Sequence, residues 1–251
     1  MVVDLKGKHI LVTGASRGIG KSIAKHLAAA GARIALHYNR KQEEAEELAS
    51  QLGNNCMAFQ ADLASESEVV DLFSKVLKEF GHLDVLINNA GTSVCSPAES
   101  ENEEWLVNWN ATIAVNLTAA ALLCKLAINH FTGRDGGKII NISSRAAFRG
   151  DTSDYLAYAA SKGGLVALTR SIARAYGKNG IVAFDVAPGF TKTDMADQFL
   201  AAYGEDYAIK DIALNKLTTP DIAPTIVFLA SGLADHATGT TIDLNAGSYV
   251  H

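Results

Sequence analysis

Short apolar runs, mostly β-branched, alternate along the chain with longer segments whose apolar residues recur at helical spacing. Residues 8–13 (KHILVT) form an extended run closing on a glycine, and 19–30 carry helix formers with an apolar stripe. The same alternation predicts a strand at 33–37, a helix at 41–52, a strand at 56–60, a helix at 66–80 and a strand at 85–87. A long helix from about 103 to 131 follows, then strands at 138–142, 182–186 and 241–244, with a helix from about 154 to 176 between the first two. Gly, Asn and Asp punctuate the joints. Parallel strands need crossovers of helix length, and strands that are apolar throughout are buried on both faces. The expectation is an α/β fold, a doubly wound parallel sheet with helices on both faces. No linker, composition shift or charge run divides the chain, so residues 1–251 are read as one domain.

Composition narrows the partners. The chain is 48% apolar and 20% charged with four prolines, which suits a folded protein. Its 22 basic and 27 acidic side chains give a net charge of -5, unfavourable for a polyanion, so no nucleic acid is expected. The longest apolar run, 111–128, is interrupted by Asn116 and Lys125, and the N-terminus has no signal-like apolar region. No membrane partner and a cytoplasmic location are therefore expected. Cys56, Cys95 and Cys124 are odd in number and lack metal-ligand spacing, so buried thiols in a reducing compartment and no metal site are expected. Sequons at Asn110, Asn116 and Asn141 require secretion and are set aside on that basis.

Open parallel sheets bind ligands beyond the carboxyl ends of their strands, so residues just after each strand carry the chemistry. After the first strand comes Thr13-Gly14-Ala15-Ser16-Arg17-Gly18-Ile19-Gly20, a glycine turn entering a helix. Glycines let backbone approach a ligand, and a helix N-terminus favours an anion such as a pyrophosphate. The spacing is G-x-x-x-G-x-G, so the generic dinucleotide fingerprint is only partly met. The same residues also spell G-x-S-x-G, the nucleophile elbow of serine hydrolases. That reading is disfavoured because no earlier segment supplies an oxyanion loop and no histidine has a distinctive setting. At the end of the second strand, where a free ribose hydroxyl would call for a carboxylate, the chain reads Tyr38-Asn39-Arg40. Arg40 and Arg17 would suit a 2′-phosphate, which favours NADP(H); otherwise Arg40 merely opens a solvated helix beside Glu43 and Glu44.

Tyr158 and Lys162 stand four apart in a helical pattern and so share a face. A nearby ammonium would lower the tyrosine pKa toward neutrality and make it a general acid or base. Taken alone this spacing is commonplace. Its company is not: Thr13 to Gly20, Asn88-Asn89-Ala90-Gly91, Asn116, Ser144, Tyr158 and Lys162 occur in the order in which the short-chain dehydrogenase/reductase family carries its motifs. Over essentially its whole length the chain resembles that family's single-domain branch, and its 3-oxoacyl-carrier-protein reductases in particular.

The resemblance implies a Rossmann-type fold and hydride transfer between a nicotinamide and a carbonyl or secondary alcohol. Tyr158 would pass the proton, Ser144 would bond the substrate oxygen, Lys162 would hold the nicotinamide ribose and lower the Tyr158 pKa, and Asn116 would anchor a relay water. NADP(H) would contact Gly14, Ser16, Arg17, Gly18, Ile19, Gly20, Asn39, Arg40, Asp62, Leu63, Asn89, Ala90, Gly91, Tyr158, Lys162, Pro188, Gly189 and Thr191. Ser144 lies fourteen positions before Tyr158 where close relatives have thirteen, which leaves Ser143 as an alternative. Asn245-Ala246-Gly247 replaces a frequent Asn-Gly-Gly. Substrate selection is expected in the segment 195–214, with Met195, Phe199, Leu200, Tyr203 and Tyr207. A 3-oxoacyl thioester is the expected substrate, with sugar, polyol or other carbonyls as alternatives. Arg134, Arg170 and Arg174 are candidates to meet an acidic carrier protein. Alanine- and leucine-rich helices point to a homo-oligomer, in this family a tetramer. A non-catalytic NADP(H)-binding sensor is the alternative of another class.

Overall fold

The computed structural model describes residues 3–193, 200, 204, 212–214 and 217–250. Seven parallel strands form one sheet in the order β3-β2-β1-β4-β5-β6-β7. They are β1 (His9–Val12), β2 (Arg33–Tyr38), β3 (Met57–Gln60), β4 (Val85–Asn88), β5 (Gly137–Ile142), β6 (Ile181–Pro188) and β7 (Thr241–Leu244). The helices are α1 (Gly18–Ala29), α2 (Gln42–Leu52), α3 (Glu66–Phe80), α4 (Asn102–Ile113), α5 (Ala119–Thr132), the single turn α6 (Ala146–Arg149), α7 (Leu156–Tyr176) and α8 (Thr219–Ala230).

Strand side chains alternate between faces, and both faces are dry. Ile10, Val12, Ile34, Leu36, Val85, Ile87, Ile140, Ile142, Phe184 and Val186 pack with α1, α2 and α8. Leu11, Ala35, Leu86, Ile139 and Ala183 pack on the opposite face with α3, α5 and α7. Burying a large apolar side chain contributes about 1.5–3 kcal/mol, so these two layers dominate stability. Helix ends follow local chemistry. The Ser65 side chain accepts from Glu68 N–H at the start of α3, and Gly81 ends it at φ 77. At α8, Thr218 and Asp221 form a reciprocal capping box.

Differences from the periodicity are local. The long helix expected at 103–131 is divided by a π-helical turn, Ala114–Thr118, which separates α4 from α5. Asn116 sits in that turn, and its buried side chain is held by Thr92 and Ser161. The run Asn102–Thr132 is long and apolar enough to cross a bilayer, yet α5 lays Leu123, Ala127 and Phe131 into the core. The helix expected from 154 begins at Leu156, after a 3-10 turn at Ser153–Tyr155. Of the three cysteines only Cys124 is buried; Cys56 is intermediate and Cys95 exposed, because it lies in the loop after β4 rather than in an element.

Candidate functional site

The strand order reverses between β1 and β4, and the loops leaving their carboxyl ends diverge there, opening a cleft. Side chains from these loops and their neighbours line a groove of about 860 Å³.

Its floor is the glycine turn after β1. Gly14 lies at φ 64, and a Cβ there would come within 2.9 Å of Ala90 Cα. A Cβ on Gly20 would collide with the Gly14 carbonyl, so glycine lets α1 start directly against the turn. Thr13 Oγ1 accepts the N–H groups of Asn89 at 2.9 Å and Ala90 at 3.0 Å. Asn89 Nδ2 donates back to the Thr13 carbonyl at 2.8 Å. Asn89 is thus a brace between the β1 and β4 loops as well as a groove residue.

His37, one of the histidines without a distinctive sequence setting, has a distinctive structural one. It is 2% exposed; its Nδ1 accepts from Gly14 N–H at 3.0 Å, and its Nε2 lies 3.1 Å from the Ala61 carbonyl, to which it donates in the neutral tautomer. Burial pushes the imidazole down to about 4. An ordinary unfolded histidine binds its proton near 6.5, so the unfolded chain holds the extra proton. Stability is therefore complete above that value and falls as pH drops toward 4, by up to about 3 kcal/mol. Denaturant unfolding at pH 7 and 5 should show this loss in the native protein and a flatter dependence in His37→Gln; equal slopes would remove the assignment.

The turn feeds a helix end open to an anion. No side chain caps α1, and its first turn holds no carboxylate. Ser16, Arg17, Gly18 and Ile19 line the groove there. At the end of β2, Asn39 and Arg40 are exposed at its rim. The carboxylate close by is Asp62, at the β3 loop with Leu63, and it accepts from Asn39 Nδ2 at 3.3 Å. Residues of this kind fit a phosphorylated dinucleotide: glycine backbone at the helix end, two arginines on the outer rim.

At the other end of the groove, Ser144 and Tyr158 line the wall together, and Ser144 lowers the phenol against the burial that raises it. Ser143 Oγ is turned away and donates to Asp185 Oδ2 at 2.8 Å, so the structure brings Ser144, and not Ser143, to Tyr158. The fourteen-residue gap is absorbed by α6 and the 3-10 turn before α7. Gly91, Pro188, Gly189 and Thr191 complete this end, with Thr191 Oγ1 donating to the Gly189 carbonyl at 3.1 Å.

Lys162 and Asn116 both make hydrogen bonds within the protein. Lys162 Nζ is 5.7 Å from the Tyr158 ring centroid and donates to the Ile142 carbonyl at 2.8 Å. Burial pushes the Tyr158 phenol up to about 12, with Ser144 opposing and Asp151 adding to the rise. Burial brings Lys162 down to about 8, with the Asp185 carboxylate working the other way. The Asn116 side chain is committed to protein: Oδ1 accepts from Thr92 N–H at 2.8 Å, while Nδ2 donates to the Thr92 carbonyl at 2.9 Å and to Ser161 Oγ at 3.0 Å. That amide staples the β4 loop to α7.

Asp185 escaped the sequence reading, although a carboxylate within the apolar run 181–188 was a visible signal. It registers with Asn141 on β5, which registers with Asn88 on β4, making a polar row beneath the site. Asn88 Nδ2 donates to Asn141 Oδ1 at 2.8 Å, and Asn141 Nδ2 to Thr169 Oγ1 at 2.8 Å. Burial raises the Asp185 carboxyl to about 6, against its bond from Ser143 and the nearby Lys162 and Arg170 charges. Near the C-terminus Ala246 takes φ 53, the left-handed conformation that suits the glycine it replaces; such a residue costs about 1–2 kcal/mol.

Other expectations fall away from the groove. Arg134 lies between α5 and β5, toward the amino ends of the strands. Arg170 and Arg174 follow Tyr158 by three to four turns of α7, and the Arg170 charge reaches Asp185 inside the fold. Met195, Phe199, Tyr203 and Tyr207 lie outside the described residues.

Residues 8–204 match the family model described as short chain dehydrogenase. The chain is 37% identical over 247 residues to 3-oxoacyl-(acyl-carrier-protein) reductase FabG of Staphylococcus aureus, covering 97% of this chain and 98% of that one. It is 35% identical to 3beta-hydroxysteroid dehydrogenase 1 of Eggerthella lenta, over 98% and 95% of the two chains. Among solved structures, a short chain dehydrogenase from Burkholderia cenocepacia in complex with NADP superposes with a TM-score of 0.89 at 34% identity, over 97% and 98% of the chains. Motif order, sheet topology and these likenesses agree: the chain belongs to the short-chain dehydrogenase family and is an oxidoreductase.

Proposed function

We propose that this protein uses NADP(H) to interconvert a ketone and a secondary alcohol, with Tyr158 as the general acid or base. The observation that carries the reading is the Ser144–Tyr158 pair at the inner end of a groove whose outer rim carries Arg17 and Arg40. The cofactor, when bound, supplies or accepts the hydride. Gly14, Ser16, Gly18, Ile19 and Gly20 would hold its pyrophosphate, Arg17, Asn39 and Arg40 its 2′-phosphate, Asp62 and Leu63 its adenine, and Asn89, Ala90, Gly91, Pro188, Gly189 and Thr191 its nicotinamide half. Ser144 orients the substrate oxygen. Tyr158 gives that oxygen a proton in reduction and takes it back in oxidation, and Lys162 supports the phenolate and the ribose. Asn116 acts by holding the β4 loop on α7.

A 3-oxoacyl thioester is the first carbonyl suggested by the Staphylococcus aureus relative, with sugar, polyol and other ketones as alternatives. The setting we propose is a cytoplasmic homo-oligomer, as the family's usual tetramer suggests. Leu106 and Val107 on α4 and Leu156 on α7 are exposed apolar side chains such an assembly would cover.

The decisive test is titration with NADPH and NADH by nicotinamide fluorescence, followed by oxidation of the bound cofactor on addition of acetoacetyl thioester and a ketone panel. Binding without turnover of any member would favour the non-catalytic sensor. In the same assay Arg40→Ala should weaken NADPH about ten-fold and NADH hardly at all, since a charge-assisted bond contributes about 1.5–3 kcal/mol in full and less at an exposed rim. An equal loss for both cofactors would refute the phosphate role of Arg40.

A further inference from the structure

Asp185 is a buried acid that the proposed chemistry leaves unused. It sits within β6 at 1% exposure, in a run that is otherwise apolar. Its register partner on β5 is Asn141, whose Nδ2 donates to Thr169 Oγ1 on α7 at 2.8 Å, so this row of side chains faces α7. Thr169 follows Lys162 by about two helical turns and shares its face. Lys162 is itself only 4% exposed.

One turn of chain holds both members of the pair. Lys162 Nζ donates to the Ile142 carbonyl at 2.8 Å, and the next residue, Ser143, donates from Oγ to Asp185 Oδ2 at 2.8 Å. Among the described residues that carbonyl is the ammonium's one hydrogen-bond acceptor, and a neutral carbonyl does not offset a buried positive charge. The carboxylate whose field reaches Lys162 is that of Asp185, and it works to keep the lysine protonated. Tyr158, with its ring centroid 5.7 Å from Nζ, brings no charge while its phenol holds its proton. On its own side Asp185 meets Ser143 and Thr241, both of which favour its ionised form, and the charges of Lys162 and Arg170 from α7. Arg170 is exposed and screened by solvent, so Lys162 is the buried counter-charge. Burial raises the carboxyl to about 6 and lowers the ammonium to about 8, and between those values both are charged.

Resting on the oxidoreductase reading above, we propose that Asp185 is a positioning residue of the same site, whose carboxylate keeps the Lys162 ammonium charged and held at the nicotinamide end of the groove. Asp185 acts through Lys162 alone. Without the carboxylate, Lys162 gives up its proton at lower pH, and its hold on the ribose and its support of the phenolate go with it.

The test follows the Lys162 ε-methylene signal by NMR against pH in the cofactor-free native protein, Asp185→Asn and Thr241→Val, with Lys162→Met identifying the signal. Asparagine keeps the shape of the side chain and still accepts from Ser143. Asp185→Asn should move the Lys162 midpoint down by about one pH unit or more, the usual effect of removing a nearby opposite charge. Asp185→Ser, smaller and equally uncharged, should shift it the same way and serves if the asparagine variant does not fold. Thr241→Val changes packing at the same carboxylate but keeps its charge, and should leave the midpoint in place. NADPH titrations should agree: the affinity of Asp185→Asn should match the native protein near pH 6 and be up to about five-fold weaker at pH 8, as a midpoint one unit lower requires. A midpoint unmoved in the uncharged variants, or moved as far in Thr241→Val, would overturn the proposal. A native NADPH affinity that ignores pH would refute the ribose role of Lys162 instead, and the NMR midpoints would still decide for or against Asp185.

Discussion

Tyr158→Phe is expected to lower kcat/KM for ketone reduction by about 10²- to 10⁴-fold, the usual contribution of a positioned general acid, while leaving the Kd for NADPH unchanged. The change removes one oxygen and keeps the ring, so packing along α7 should survive. The Tyr158 phenol is held at about 12 by burial, with Ser144 opposing, so at neutral pH it carries its proton and stands ready to give it to a substrate oxygen. Reduction therefore begins from the correct protonation state. Oxidation needs the phenolate, whose population grows about ten-fold per pH unit below its pKa, so alcohol oxidation should climb with pH where reduction does not. Single-turnover rates in both directions between pH 6 and 9 check both statements. A variant retaining more than about a tenth of the native rate would remove Tyr158 from the proton transfer.

Lys162→Met is expected to damage both chemistry and cofactor binding, with about 10²-fold loss in turnover and a measurable loss in NADPH affinity, because one ammonium serves two neighbours. Methionine keeps most of the buried volume, which separates the charge from packing. The ammonium is buried, donates to the Ile142 carbonyl and stands near the Asp185 carboxylate. Because burial lowers it to about 8, its charge is lost at lower pH than that of an exposed lysine. NADPH affinity of the native protein should then weaken as pH rises through about 8, and that dependence should vanish in Lys162→Met. A native affinity flat from pH 7 to 9, or a variant that still follows the native curve, would show that Lys162 is structural.

Much of this was legible in the residues themselves. Runs such as Ile10-Leu11-Val12 and Ile139-Ile140 are apolar on both faces, and only a sheet covered on both sides buries them, so periodicity led directly to the doubly wound architecture. Glycines between Gly14 and Gly20 mark a backbone that must approach something closely, and the i, i+4 spacing put Tyr158 and Lys162 on one face of α7. What spacing could not supply was any statement about direction. Ser143 and Ser144 are adjacent and chemically identical; strand alternation turns one toward Asp185, and the turn that follows brings the other to Tyr158.

The same distinction explains the rest. The residues alone determined the family, the fold and which side chains gather at the carboxyl ends of the strands, because those follow from local periodicity and ordered motifs. Only the tertiary structure decided their protonation and commitments: His37 as the neutral brace of Gly14, Asn116 tied to Thr92 and Ser161, Lys162 bonded to Ile142, and Arg145, Arg149 and Asp151 facing one groove. Burial and hydrogen-bond geometry set these properties, and both arise between residues distant in the chain.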